Sequence, residues 1–146
     1  VLFRSKQLPL PEMQALAEKS FPVLPAPILA NGGLLHGYAA VTIAKERYGI
    51  TDPALLGAVA HHTTGAEQMS TLEKIIFLAD YIEVNRDFDG VDDLRQAARR
   101  DLDEAVLLGY DSTIRHLLDQ GKPIFVGTVV NRNAQIDVVR AADGKA

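Results

Sequence analysis

Apolar positions along the chain recur at helical spacing, and nowhere do they alternate over a stretch long enough to build a sheet. Leu34, Leu35, Tyr38, Val41 and Ala44 predict a helix over 34–48, stopped by Gly49, with His36 in its first turn. Thr51 or Asp52 can cap the next helix. Pro53 suits its first position, Leu55, Leu56, Val59 and Ala60 give its apolar face, and His61 and His62 fall at its end. Ser70 and Glu73 have the spacing of a capping box and open a helix whose stripe reads Leu72, Ile75, Ile76, Ala79 and Ile82, with Asp80 beside it. Three more helices are predicted. One runs over 91–108 with Asp92 and Asp93 at its dipole end and Gly109 interrupting it, one over 112–120 with Gly121 as C-cap, and one over 128–140.

The first 33 residues read differently. They hold five of the seven prolines, so the pattern predicts one short helix over 11–19 and otherwise loop. The expectation is an all-α chain forming one domain over 1–146: an irregular part over 1–33, a helical core over 34–140 and a frayed tail over 141–146.

Composition narrows the chemistry. With 47% hydrophobic and 23% charged residues in 146, the chain has material for a core. A formal charge of −4 gives no broad electrostatic footprint for nucleic acid or an anionic membrane, so any polyanion must meet a local site. The absence of cysteine excludes disulfides, thiolate zinc sites and cysteine nucleophiles, which leaves His and Asp to bind any metal. Apolar runs are short and no signal peptide is evident, so the chain is expected to be cytoplasmic. There is no phosphate loop, nucleophile elbow or zincin motif.

The residues with chemistry lie on separate predicted helices. Asp80 sits in IIFLADYIEV, where a carboxylate removed from water needs a cation or hydrogen-bond donors; the alternative is a partly exposed helix residue. His62 precedes Thr63, Thr64 and Gly65, a composition suited to presenting hydroxyls and backbone N–H groups to an oxyanion. His61 points about 100° away on the helix, so one of the two faces the site, and His62, next to the threonines, is favoured. His36 is followed by Gly37, which allows close approach of backbone or ligand. Arg86, after Asn85, can hold phosphate or simply serve the end of the Asp80 helix. His116 is assigned to structure, and Arg95, Arg99 and Arg100 to a solvated helix face.

Together these residues resemble the HD-domain metal-dependent phosphohydrolases, specifically the YqeK-type symmetrical bis(5'-nucleosyl)-tetraphosphatases. The resemblance is carried by LLHG at 34–37, HTTG at 62–65, MSTLEKIIFLADYIEVNRDFDGV at 69–91, and Arg95, Ala98, Asp101, Leu102 and Ala105; Thr113, Ile114, Arg132 and Asn133 fit more loosely. It spans 34–133, with 26 residues from His36 to His62 and 18 from His62 to Asp80. It implies a helical bundle that hydrolyses diadenosine tetraphosphate to two ADP at one or two metal ions, iron above all. Asp80 matches the late aspartate ligand. His36 and His62 match additional histidines serving a second metal or the substrate phosphates, while Asn85 and Arg86 match nucleotide contacts and Thr63, Thr64 and Gly65 border the pocket. In the implied mechanism, water activated by the metal attacks a phosphorus near the middle of the tetraphosphate while Arg86 neutralises charge.

Two departures qualify the resemblance. Valine stands at 84, where proline is usual before Asn-Arg, and the expected early histidine and His-Asp pair belong upstream of Lys6, whereas residues 1–5 read Val-Leu-Phe-Arg-Ser. An N-terminally truncated chain, inactive for lack of ligands and prone to dimerise through an uncovered apolar face, is therefore expected. A different HD-type nucleotide phosphohydrolase and a non-catalytic nucleotide-binding domain are the alternatives.

Overall fold

The computed structural model describes residues 5–142 and 144, and the chain divides into two compact units, Val1–Thr64 and Gly65–Ala146. All regular structure among the described residues is helical. Of the expected frayed tail, Ala141 and Ala142 continue the last helix, and residues 143, 145 and 146 lie outside the described residues, as do residues 1–4.

In the first unit a 3-10 turn, Ser5–Gln7, precedes α1 (Leu10–Ser20), α2 (Ala26–Leu29), α3 (Gly32–Tyr48) and α4 (Pro53–His61). The segment expected to be mostly loop is thus largely helical. Four of its five prolines stand at the starts of α1 and α2, because proline at the first helical positions lacks only an N–H that would be unpaired anyway. Helix α3 also begins earlier than expected: the Asn31 side chain accepts from the Gly33 amide at 2.9 Å, which places His36 in the second turn. It ends as expected, on Gly49 in the left-handed conformation at φ 64°.

Residues 35–44 of α3 are buried without interruption, so over this stretch the helix lacks a solvent face, and only its last turn, residues 45–48, is exposed throughout. Met13 and Ala17 of α1 pack against it. Its one buried hydroxyl in that contact is satisfied, as Thr42 Oγ1 donates to Leu16 O at 2.7 Å and lies 2.8 Å from Ser20 Oγ.

The second unit comprises α5 (Thr71–Ile82), α6 (Val91–Arg100), α7 (Leu102–Asp119) and α8 (Val126–Ala142). Both halves of the capping box at Ser70 and Glu73 form. The stripe of α5 is not the expected one. Phe77 and Leu78 are buried with Leu94, Ala97, Ala105, Val106 and Tyr110, whereas Ile75 and Ile76 are 49% and 39% exposed.

The helix predicted over 91–108 is broken at Asp101, whose extended backbone ends α6 and whose carboxylate caps the amides of Asp103 and Glu104 at 2.9 and 3.0 Å. Gly109, expected as an interruption, lies inside α7; a Cβ there would stand 3.3 Å from Phe77 and 3.4 Å from Leu78. The segment over 112–120 is the second half of the same helix. Because Asp101 satisfies two otherwise unpaired amides, Asp101→Ala should lower stability by about 1–2 kcal/mol in urea unfolding. Retention of the wild-type midpoint would show that the break is held by packing alone.

Candidate functional site

The last turn of α4 and the second turn of α3 bring two imidazoles together. His36 Nε2 and His62 Nε2 are 2.8 Å apart, the rings meeting nearly edge-on at 78°. Each Nδ1 faces a carbonyl of its own helix, His36 that of Gly33 at 2.9 Å and His62 that of Val59 at 2.7 Å. A carbonyl can only accept, so both Nδ1 atoms carry hydrogen. In the neutral pair both Nε2 atoms therefore present lone pairs to each other. Two acceptors at hydrogen-bond distance repel each other in the neutral pair, and fixing Nδ1–H on a carbonyl is how proteins orient imidazole for a metal. Thr63 Oγ1, 3.3 Å from His36 Nε2, can donate to that same lone pair.

The helices approach closely because Gly37 has no side chain. A Cβ there would come within 2.7 Å of Ala60 O and 3.1 Å of Val59 O, the latter being the acceptor that orients His62.

Burial first, and then the charge of His62, hold the His36 imidazole below its ordinary value of 6.5. Between that depressed value and 6.5 the unfolded chain binds more protons than the folded one, so stability rises with pH across this window. The urea midpoint should accordingly fall on acidification from about pH 7.5 to about pH 5.5, and His36→Gln should flatten the trend. An unchanged slope in that variant would assign the acid sensitivity elsewhere.

The neighbouring residues divide. Thr63 is half-buried beside the imidazoles, whereas Thr64 is buried with its hydroxyl 3.3 Å from that of Tyr38, and Gly65 is buried at φ 62°. The Thr64 hydroxyl, expected toward an oxyanion, lies beside that of Tyr38. His61 turns toward the Tyr38 ring, with centroids 6.5 Å apart, and His62 is the one that meets His36. His116 is exposed on α7.

In the second unit, Asp80 is exposed on α5, so no desolvation forces a cation upon it. Arg86 Nε donates to Asp80 O at 2.8 Å, an end-of-helix contact. Asn85 Nδ2 donates to Glu83 Oε2 at 3.2 Å. Arg95, expected on a solvated face, instead reaches from α6 to the exit of α5. It donates to Ile82 O, Glu83 O and Arg86 O at 3.3, 2.9 and 2.9 Å while pairing with Asp92 at 3.0 Å. The signal missed in the sequence is that α5 ends without glycine, which leaves carbonyls for another side chain to satisfy.

Among the described residues no three His, Cys, Asp or Glu side chains are gathered as a metal-holding group. The imidazole pair fits half of such a site: two oriented lone pairs without a carboxylate.

No family model matches the chain. It is similar to a solved HD superfamily hydrolase from Clostridium acetobutylicum, described as involved in NAD metabolism, at 41% identity and TM-score 0.84, covering 91% of this chain and 70% of that one. The chain belongs to the HD superfamily of hydrolases. Within the superfamily, the symmetrical bis(5'-nucleosyl)-tetraphosphatase of Halalkalibacterium halodurans is 45% identical over 100 residues, 68% of this chain and 54% of the relative. The enzyme of the same name from Bacillus subtilis is 36% identical over 111 residues, 75% of this chain and 60% of the relative. This HD hydrolase chain thus spans little more than half the length of these curated relatives. No helix among its described residues is long and apolar enough to cross a membrane.

Proposed function

We propose that this chain supplies the imidazole pair, the Asp80 helix and the Asn85–Arg86 turn of a symmetrical dinucleoside-tetraphosphate hydrolase that converts diadenosine tetraphosphate to two ADP. The observation that carries the proposal is the facing Nε2 pair of His36 and His62, each ring anchored through Nδ1 on its own helix. Support comes from relatives of that name at 36–45% identity.

His36 and His62 would hold a metal ion through Nε2, and Asp80 would hold one through its carboxylate. When bound, iron or another divalent or trivalent metal supplies Lewis acidity toward water and phosphate oxygens. Thr63 would donate a hydrogen bond beside the imidazoles. Arg86, its Nε committed to Asp80 O, would direct the far side of its guanidinium to a phosphate, with Asn85 adding an amide contact to the nucleotide. Self-association through the exposed Ile75 and Ile76 of α5, and a cytoplasmic location, belong to the same reading.

Two measurements test the proposal. Incubation with diadenosine tetraphosphate and Fe2+ or Mn2+ should release ADP as the sole nucleotide; AMP plus ATP would contradict symmetric cleavage. Titration with Co2+, followed by its visible absorption, should show binding that weakens at least about a hundredfold in His62→Ala. Equal affinity in that variant would remove the imidazole pair from the site. One observation favours a second reading, a non-catalytic nucleotide-binding domain: the lack of a three-ligand group among the described residues. It predicts ADP binding without turnover and without dependence on His62.

A further inference from the structure

We infer that Arg95 is a positioning residue, which sets the turn carrying Asn85 and Arg86 and so places both for a nucleotide phosphate. The part of this inference that concerns the nucleotide rests on the function proposed above. The part that concerns the turn rests on geometry alone.

Helix α5 ends at Ile82 with an unusual debt. Its C-cap, Glu83, is extended at φ −58° and ψ 152°, so the helix has no left-handed cap residue to turn its last carbonyls back onto the chain. The backbone instead closes a short turn, in which the Arg86 amide donates to Glu83 O at 3.0 Å. Val84 and Asn85 are the central residues of that turn, and Val84 is 87% exposed, so no packing of its own holds the turn in shape.

Arg95 supplies what is missing. Nη2 donates to Glu83 O and to Arg86 O, both at 2.9 Å, and thus grips the turn at its first and last residues. Nε donates to Ile82 O at 3.3 Å, which ties the turn to the end of α5, and Nη1 pairs with Asp92 at 3.0 Å, which ties the guanidinium to α6. The planar fork is what makes this possible, since its donors leave in fixed directions toward several acceptors. The opening of α6 at Gly90, with φ 90°, and the Val91 to Phe88 backbone bond set the distance over which Arg95 must reach.

The two arginines have different duties as a result. All three nitrogens of Arg95 are engaged by protein oxygens, so Arg95 is not the residue that meets a ligand. Arg86 uses Nε on Asp80 O, the same helix end, and is exposed on the turn that Arg95 fixes. The contact that Arg86 makes is therefore only as well placed as the turn beneath it.

The test compares wild type with Arg95→Lys, Arg95→Met and Arg86→Met in the full chain. Hydrogen exchange at the Arg86 amide reports the turn directly. It should accelerate about tenfold to a hundredfold in Arg95→Met relative to the amides of α7 and α8, and Arg95→Lys, a single point donor, should recover little of the protection. Unchanged exchange at Arg86, or the same acceleration across the whole unit, would overturn the inference, because the second result describes a general loss of stability. Calorimetric titration with ADP then reads the placement. Arg95→Met should weaken ADP as much as Arg86→Met, with no further loss in the double variant; full affinity in Arg95→Met would overturn it. If the wild-type chain does not bind ADP, the nucleotide reading fails, and the exchange experiment still decides whether Arg95 sets the turn.

Discussion

Gly37→Ala is expected to destabilise the first unit by about 2–3 kcal/mol and to abolish metal binding by the imidazole pair. Alanine would ordinarily favour a helix by about 1 kcal/mol over glycine. Here the added methyl meets backbone oxygens, Ala60 O at 2.7 Å and Val59 O at 3.1 Å, and these cannot rotate away as a side chain would. Helices α3 and α4 must therefore separate. Val59 O also orients His62, so the second imidazole turns as its helix moves, and the 2.8 Å approach of the two Nε2 atoms is lost. Urea unfolding and Co2+ titration on the one variant check both consequences. A stable Gly37→Ala that still binds Co2+ would show that the helices have slack the geometry does not reveal.

The second large effect belongs to Gly65. Gly65→Ala should cost about 3–5 kcal/mol, enough to leave much of the second unit unfolded at 37 °C. Two penalties add. The residue holds φ 62°, a conformation that costs an L side chain about 1–2 kcal/mol, and its Cβ would overlap the hydroxyl of Tyr110. Tyr110 has nowhere to retreat, being 1% exposed and packed on Phe77 with ring centroids 4.9 Å apart. Burial already pushes its phenol well above the ordinary range. Thermal melting by circular dichroism measures the loss. The double variant Gly65→Ala, Tyr110→Phe should recover part of it, because the phenol oxygen is the atom most overlapped, while the ring carbon Cζ at 2.7 Å remains; no recovery would place the cost in the backbone and the ring.

The parts of this fold legible in the sequence are those fixed by local chemistry. Ser70 with Glu73 and Gly49 after Tyr48 each satisfy groups within a turn of themselves and are found as expected, and of Thr51 and Asp52 it is Asp52 that caps the helix opened by Pro53. What was not legible depends on distant partners. LEKIIFLADYI offers two apolar stripes at the same period, one through Ile75, Ile76 and Ala79 and one through Phe77, Leu78 and Tyr81; only the neighbouring helices choose between them, and they choose the second. Gly109 looks like punctuation in the sequence because its value is tertiary, making room for Phe77 and Leu78. The Asp101 break did carry a local signal, an aspartate two and three residues before acidic first-turn positions, which the apolar period over 91–108 outweighed. In the site, His36 and His62 were nameable from LLHG and HTTG, but the orientation of the rings was not, since nothing in a sequence says which carbonyl an imidazole will find. Arg95 was missed for the same reason: its acceptors lie up to 13 residues away, on backbone that any side chain could have left there.

Each imidazole takes its bearing from a carbonyl three residues earlier in its own helix. Ring direction and tautomer are thus inherited from a single helical turn, and the remainder of the fold contributes only how near the two turns stand. Gly33 to His62 is for that reason a two-histidine clamp in cassette form. Transplanted between helices of another scaffold at the same separation, it should carry its proton arrangement along without any outer carboxylate to impose it.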